Sequence, residues 1–143
     1  MAHRFEMVGG HPVLDFLNTI NDWTADTPTD YLADGAEAAA FGEQAGVLSR
    51  AESRRMATLV HGPELGRLRV LRAVLERALQ ALLDARAPVA ADLDALDALR
   101  TEVSRSAKLR LVDGRLTSEV GAERTGGSTL RLRLAAAALA LLE

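Results

Sequence analysis

The stretch Gly9–Thr19, GGHPVLDFLNT, decides how this chain begins to fold. Gly9 and Gly10 stop whatever precedes them. Pro12 suits the first turn of a helix, because its ring pre-sets the helical φ and its missing N–H would have no partner there anyway. Val13, Leu14, Phe16 and Leu17 then make a short, compact apolar helix that carries Asp15, Asn18 and Thr19. Upstream, Arg4–Val8 alternates as a strand does, with Phe5 and Met7 on one side and Glu6 on the other. Downstream, Asn21–Asp30 contains NDW and TPTD, a turn-rich connection that reads as the rim of a pocket, with Trp23 and Tyr31 as its walls or as core anchors.

Further along, Ala36–Ala45 is helical by propensity and Gly46 ends it. Ser49 and Glu52 have the spacing of a capping box and open a helix to about Val60, broken by His61, Gly62 and Pro63. Leu65, Leu68, Leu71, Leu75, Leu79 and Leu82 recur at steps of three and four, which predicts a long spine helix over 64–86. Leu93, Leu96, Leu99 and Val103 mark another helix. Asp113-Gly114 between Lys108–Val112 and Arg115–Val120 is the dipeptide of a two-residue hairpin turn. A lone hairpin is marginal in water, so it is expected to recruit the N-terminal strand at Phe5. GAERTGGS from Gly121 reads as a loop, and Leu130–Leu142 as the last helix. The expected fold is one α+β domain over 1–143, mainly helical, with a small antiparallel sheet of the N-terminal strand plus the C-terminal hairpin.

Composition excludes several function classes. The 143 residues carry a net charge of −3, and the 17 basic residues form no clustered face, so direct nucleic acid binding by this chain is not expected. There is no cysteine, hence no disulfide, thiolate nucleophile or cysteine-ligated metal. MAHRFEMVGG lacks the apolar core of a signal peptide, and the run Leu134–Leu142 is about half a membrane span, so a cytoplasmic protein with no membrane role is expected. That run is apolar on nearly every face and must be covered, either by the core or by a homodimer or partner protein docking through the C-terminal helix.

Chemistry concentrates in few places. Arg72 lies on the apolar stripe of the spine helix, where an unpaired guanidinium would cost several kcal/mol, on the order of the desolvation penalty per ion, so a carboxylate should face it. Asp15, between Leu14 and Phe16, is the expected partner, with a ligand carboxylate or phosphate as the alternative occupant of the fork. Gly9 and Gly10 ahead of a helix N-terminus either expose amides to an anion or simply make a tight turn. His11 and Asp15 share a helix face, yet no third metal ligand is evident, so no metal is expected. Asn18 caps the short helix or points to a ligand. Asp92 and Asp94 read as a solvated helix face. No nucleophile elbow, P-loop lysine or HExxH occurs, so neither an enzyme nor a cofactor is expected. The candidate ligand site is therefore Gly10, His11, Asp15, Asn18 and Arg72.

The residues Gly9, Gly10, His11, Pro12, Leu14, Asp15, Phe16, Asn18 and Thr19 resemble the opening motif of the ABATE domain of bacterial stress-induced transcription regulators. Leu71, Arg72, Ala73, Val74 and Leu75 are similar to its Leu-Arg-x-Ala-Leu stretch, with the alanine one place early. Leu93 and Leu96 followed by Asp97 resemble its next helix, where asparagine is more usual. The hairpin and the Ala- and Leu-rich terminal helix follow in the family's order, so the resemblance covers nearly the whole chain. It implies a mostly helical α+β fold and a regulatory or sensor role, with a small, anionic ligand as one reading and a ligand-free dimerisation or protein-interaction module as the other. The family usually continues into a C-terminal zinc finger with a Cys-Gly-Asn-Arg motif, the DNA-contacting part. No such finger is present among these residues.

Overall fold

The computed structural model describes residues 5–21, 26–27 and 29–143. Arg4 and Trp23, invoked above, lie outside them. The chain runs α1 (Pro12–Leu17), β1 (Ile20–Asn21), β2 (Thr29–Asp30), α2 (Gly35–Gln44), α3 (Arg50–Leu59), α4 (Gly62–Leu83), α5 (Ala90–Ser106), β3 (Ala107–Val112), β4 (Arg115–Val120), α6 (Ala122–Thr125), a 3₁₀ turn (Gly126–Ser128) and α7 (Thr129–Leu142). It is a mainly helical α+β fold with two small antiparallel sheets, β1–β2 and β3–β4.

Local chemistry explains most boundaries. Ser49 and Glu52 make the expected reciprocal capping box at the start of α3. His61–Pro63 does not merely break α3, because Gly62 and Pro63 already belong to the first turn of α4, where proline is tolerated. Both turn residues of the hairpin have positive φ, 50° at Asp113 and 77° at Gly114, as a type I′ turn requires. The segment read as a loop after Gly121 instead winds into α6 and the 3₁₀ turn.

The N-terminal strand is a correction. Phe5–Val8 joins neither sheet, because its anchorage comes from side chains. The Phe5 N–H donates to Gln44 Oε1 at 2.8 Å, and its ring meets Phe41 edge-on at 5.4 Å between centroids. The hairpin pairs with no third strand, and the second ladder is a two-residue pairing at the ends of the turn-rich connection, with Ile20 opposite Asp30 and Asn21 opposite Thr29.

The core gathers α1, α2, α3, α4 and α7, with Phe16, Phe41, Leu32, Met56, Leu68, Leu75, Leu130 and Leu134 fully buried. The apolar surface of α7 that pointed to a partner is largely covered by the chain's own α1, α4 and α5, which pack against it. Its arginines act as ties. Arg133 donates to both carboxylate oxygens of Glu52, at 2.7 and 2.9 Å, and to the carbonyls of Val47 and Val120, at 2.9 and 2.8 Å. One side chain thus joins α7 to α3, to the end of the hairpin and to the loop after α2. On the far side, Asp92 is buried rather than solvated, held by a two-point contact from Arg77 at 2.9 and 3.0 Å, which keeps its carboxyl below the usual range. Among the described residues no helix is long and apolar enough to cross a membrane.

The Arg133 hydrogen bond, against the opposing effect of burial and with help from Ser49, brings the Glu52 carboxyl from 4.5 down to about 2. A depressed folded-state pKa adds stability that is present above the unfolded value and lost as pH falls through the folded one. Urea unfolding should therefore show stability falling between pH 4.5 and about 2, and Glu52→Gln should flatten that part of the curve while lowering stability at neutral pH. An acid limb identical in the variant would show that the contact contributes nothing.

Candidate functional site

The motif Gly9–Thr19 folds into a corner in which most polar groups are already committed. Gly10 has φ of +74°, a left-handed conformation that glycine adopts without strain. A Cβ on Gly9 would lie 2.7 Å from the Leu14 Cβ, so only glycine allows the chain to pass this close to α1. The Gly9 N–H donates to Asp15 Oδ1 at 2.7 Å, and the His11 Nδ1 accepts from the Val13 N–H at 3.1 Å as the helix N-cap. Asp15 is thus occupied by the backbone six residues before it. Asn18 closes α1 as its C-cap and is exposed.

Arg72 is buried, as its place on the spine stripe requires, but its carboxylate is Asp30 rather than Asp15. The guanidinium makes a two-point contact with Asp30, Nη1 to Oδ1 at 2.9 Å and Nη2 to Oδ2 at 2.5 Å, and Nη1 also donates to Thr19 Oγ1 at 2.9 Å. Thr19 passes this on, its hydroxyl donating to the Phe16 carbonyl and its own carbonyl accepting from the Tyr31 N–H at 2.8 Å. Arg69 reinforces the same place, with Nε 3.3 Å from Asp30 Oδ2 and Nη2 donating to the Leu32 carbonyl at 2.7 Å. Burial pushes the Asp30 carboxyl up, but the hydrogen bond and charge of Arg72, the Leu32 N–H and the Arg69 charge outweigh it and hold the pKa low. The β1–β2 pairing sets Asp30 opposite Ile20, next to Thr19.

Of the five candidate residues, the structure groups Gly10, His11 and Asp15 at the start of α1, leaves Asn18 at its other end, and places Arg72 beyond Thr19. Among the described residues no group of three or more His, Asp or Glu is arranged to hold a metal.

Among the described residues, an open recess lies elsewhere. Where α4 faces α5, the short residues Gly66, Ala95 and Ala98 leave an apolar trough of about 540 Å³ between Val70, Val74 and Leu99. A Cβ on Gly66 would meet nothing within 4 Å, so the trough is open there. Its one polar end is a charge cluster. Buried Arg131 of α7 donates through Nε to Glu64 at 2.7 Å and through both terminal nitrogens to Glu102 at 2.8 and 3.1 Å. Burial alone would lower the Arg131 pKa, but its bonds to Glu102 and Glu64 raise it, and Glu102 is correspondingly held low. Arg67, at the rim, is 62% exposed and only 3.5 Å from Glu64, the loosest cation of the group. Arg131 counted in the sequence only as one of the 17 basic residues that form no clustered face. The usable signal was the one applied to Arg72, an arginine on an otherwise apolar helix.

Residues 10–143 match the family model of the ABATE domain, described as "Putative stress-induced transcription regulator". No curated protein and no solved structure matches the chain.

Replacing Asp30 by alanine strands a buried guanidinium and should cost about 3–5 kcal/mol of unfolding free energy. Asp15→Ala forfeits one backbone hydrogen bond and should cost about 1–3 kcal/mol. Chemical denaturation of the two variants side by side checks this, and a larger loss for Asp15→Ala would overturn the assignment of partners.

Proposed function

The chain belongs to the ABATE family, and we propose from that premise that it is the sensing part of a bacterial, cytoplasmic, stress-induced transcription regulator, taking a small molecule into the α4–α5 trough. The observation that carries this reading is the trough itself. Its volume of about 540 Å³ falls in the range of small-molecule sites, and such sites are mostly apolar with a few polar groups that fix orientation. A ligand with an apolar body and one anionic group suits it. The body would replace water against Val70, Val74 and Leu99, and the anion would draw Arg67 away from its long contact with Glu64. Arg131 is saturated by two carboxylates and would serve as a fixed wall.

In this reading the GGHPVLDFLNT corner and Arg72 are architecture. The fork of Arg72 is filled by Asp30, and His11 and Asp15 are spent on backbone amides, which leaves them little to offer a ligand. The role is non-enzymatic, and contact with DNA belongs to a separate element.

The probe for a first test is 8-anilinonaphthalene-1-sulfonate, an apolar ring system with one anionic group. Saturable one-site fluorescence enhancement is expected, with a rise in melting temperature at saturating probe. Ala98→Leu, which fills the trough from an exposed position, should abolish both, and Arg67→Glu should weaken binding about tenfold, the equivalent of ~1.4 kcal/mol. Unsaturable binding, or binding unchanged in Ala98→Leu, would reject the trough as the site.

A further inference from the structure

The β3–β4 hairpin has two chemically distinct faces. Directly opposed residues share a face, and the register pairs Ala107 with Val120, Leu109 with Ser118 and Leu111 with Leu116. That face carries no charge. The other carries Lys108, Arg110, Val112, Arg115, Thr117 and Glu119, with Arg110 and Glu119 joined at 2.9 Å. The uncharged face is nonetheless bare toward its tip, where Leu109, Leu111 and Leu116 are 71%, 72% and 70% exposed. A two-stranded ribbon with three uncovered leucines is marginal alone and prone to association.

The same face holds a complementary feature at its base. Ala107, Ser118, Glu119 and Val120 line a hollow of about 310 Å³ whose other walls are Val47, Val103, Arg133 and Ala136. The arginine on its wall, Arg133, already has its hydrogen bonds to Glu52, Val47 and Val120. One face therefore bears an apolar projection at the tip and an apolar recess at the base, with the Leu109/Ser118 pair midway. We propose that this face is a homodimer interface, in which two copies stack their hairpins antiparallel and the tip leucines of each fill the basal hollow of the other. A two-fold axis across the ribbon at Leu109/Ser118 sets Leu111 toward the other copy's Ala107 and Leu116 toward the mouth of the hollow, in which Val120 is buried. Ser118 then faces its own counterpart. A second copy is the partner that necessarily carries both halves of this match, an isologous contact. Stacking also leaves Lys108, Arg110 and Arg115 on the outer, solvated side, with Glu119 held by Arg110 at the edge of the hollow, as interface cores are depleted of charge.

The interface is tested on the full chain by sedimentation equilibrium across a wide concentration range. A reversible monomer–dimer equilibrium is expected, and Leu111→Lys/Leu116→Lys, at exposed positions, should sediment as a monomer throughout with its helical circular dichroism retained. The chain has no cysteine, so Ser118→Cys adds the sole thiol. Stacked sheets lie ~10 Å apart, so a short bis-maleimide should link two such copies but not two copies of Thr117→Cys, whose side chain is on the other face. A monomer at every concentration would overturn the proposal. So would a dimer that survives the lysine pair, which would place the contact elsewhere, or equal crosslinking at both cysteines.

Discussion

A guanidinium cannot be taken out of water without carboxylate and hydroxyl partners, and the burial of Arg72 imposes that demand at the centre of this fold. The spine stripe places the side chain, 3% exposed, against α1 and the chain reversal that follows it. Asp30 must reach it, so β1 and β2 must pair. Thr19 must also reach it, which fixes the end of α1, and Asp15 with Gly9 fixes the start. The entire GGHPVLDFLNT corner is thus positioned from two ends by polar contacts that tolerate little displacement, while Phe16 and Leu17 fill the core beneath.

The same device recurs. Arg77, Arg131 and Arg133 each bind a carboxylate from another element in a two-point contact. A planar fork matches a carboxylate at two points, whereas an ammonium offers a single charge, and the chain's single lysine, Lys108, sits on the exposed hairpin. With only 3% aromatic residues the core has few large anchors, and a Leu/Ala interior packs with little directional preference. Arginine–carboxylate ties supply the direction that fixes how α3, α5 and α7 meet.

The sequence made much of this legible because periodicity and capping act locally. The spine stripe, the Ser49–Glu52 box and the Asp113-Gly114 turn depend on neighbours within a few residues, and each was readable. That Arg72 needs an acid was equally readable from the cost of burying it. Which acid was not, because Asp15 is near in its apolar context whereas Asp30 is delivered by a reversal that no periodic pattern announces. The N-terminal strand failed for a related reason. Alternation at Phe5–Val8 records which side chains face inward, and here an aromatic contact and one glutamine hydrogen bond meet that need without a ladder. The α4–α5 trough was invisible since it consists of what Gly66, Ala95 and Ala98 lack.

Separating architecture from site changes what the family's opening motif means in this chain. Its polar residues position α1, and in the proposed reading a ligand would use the trough ended by Arg131, Glu102 and the looser Arg67 instead. The separation rests on Arg72 being bound to Asp30 within the fold. A double-mutant cycle for Arg72 and Asp30, read by chemical denaturation, measures that directly. A coupling of about 2–3 kcal/mol is the expected result, with additive effects for Arg72 and Asp15, and additive effects for Arg72 and Asp30 would contradict it.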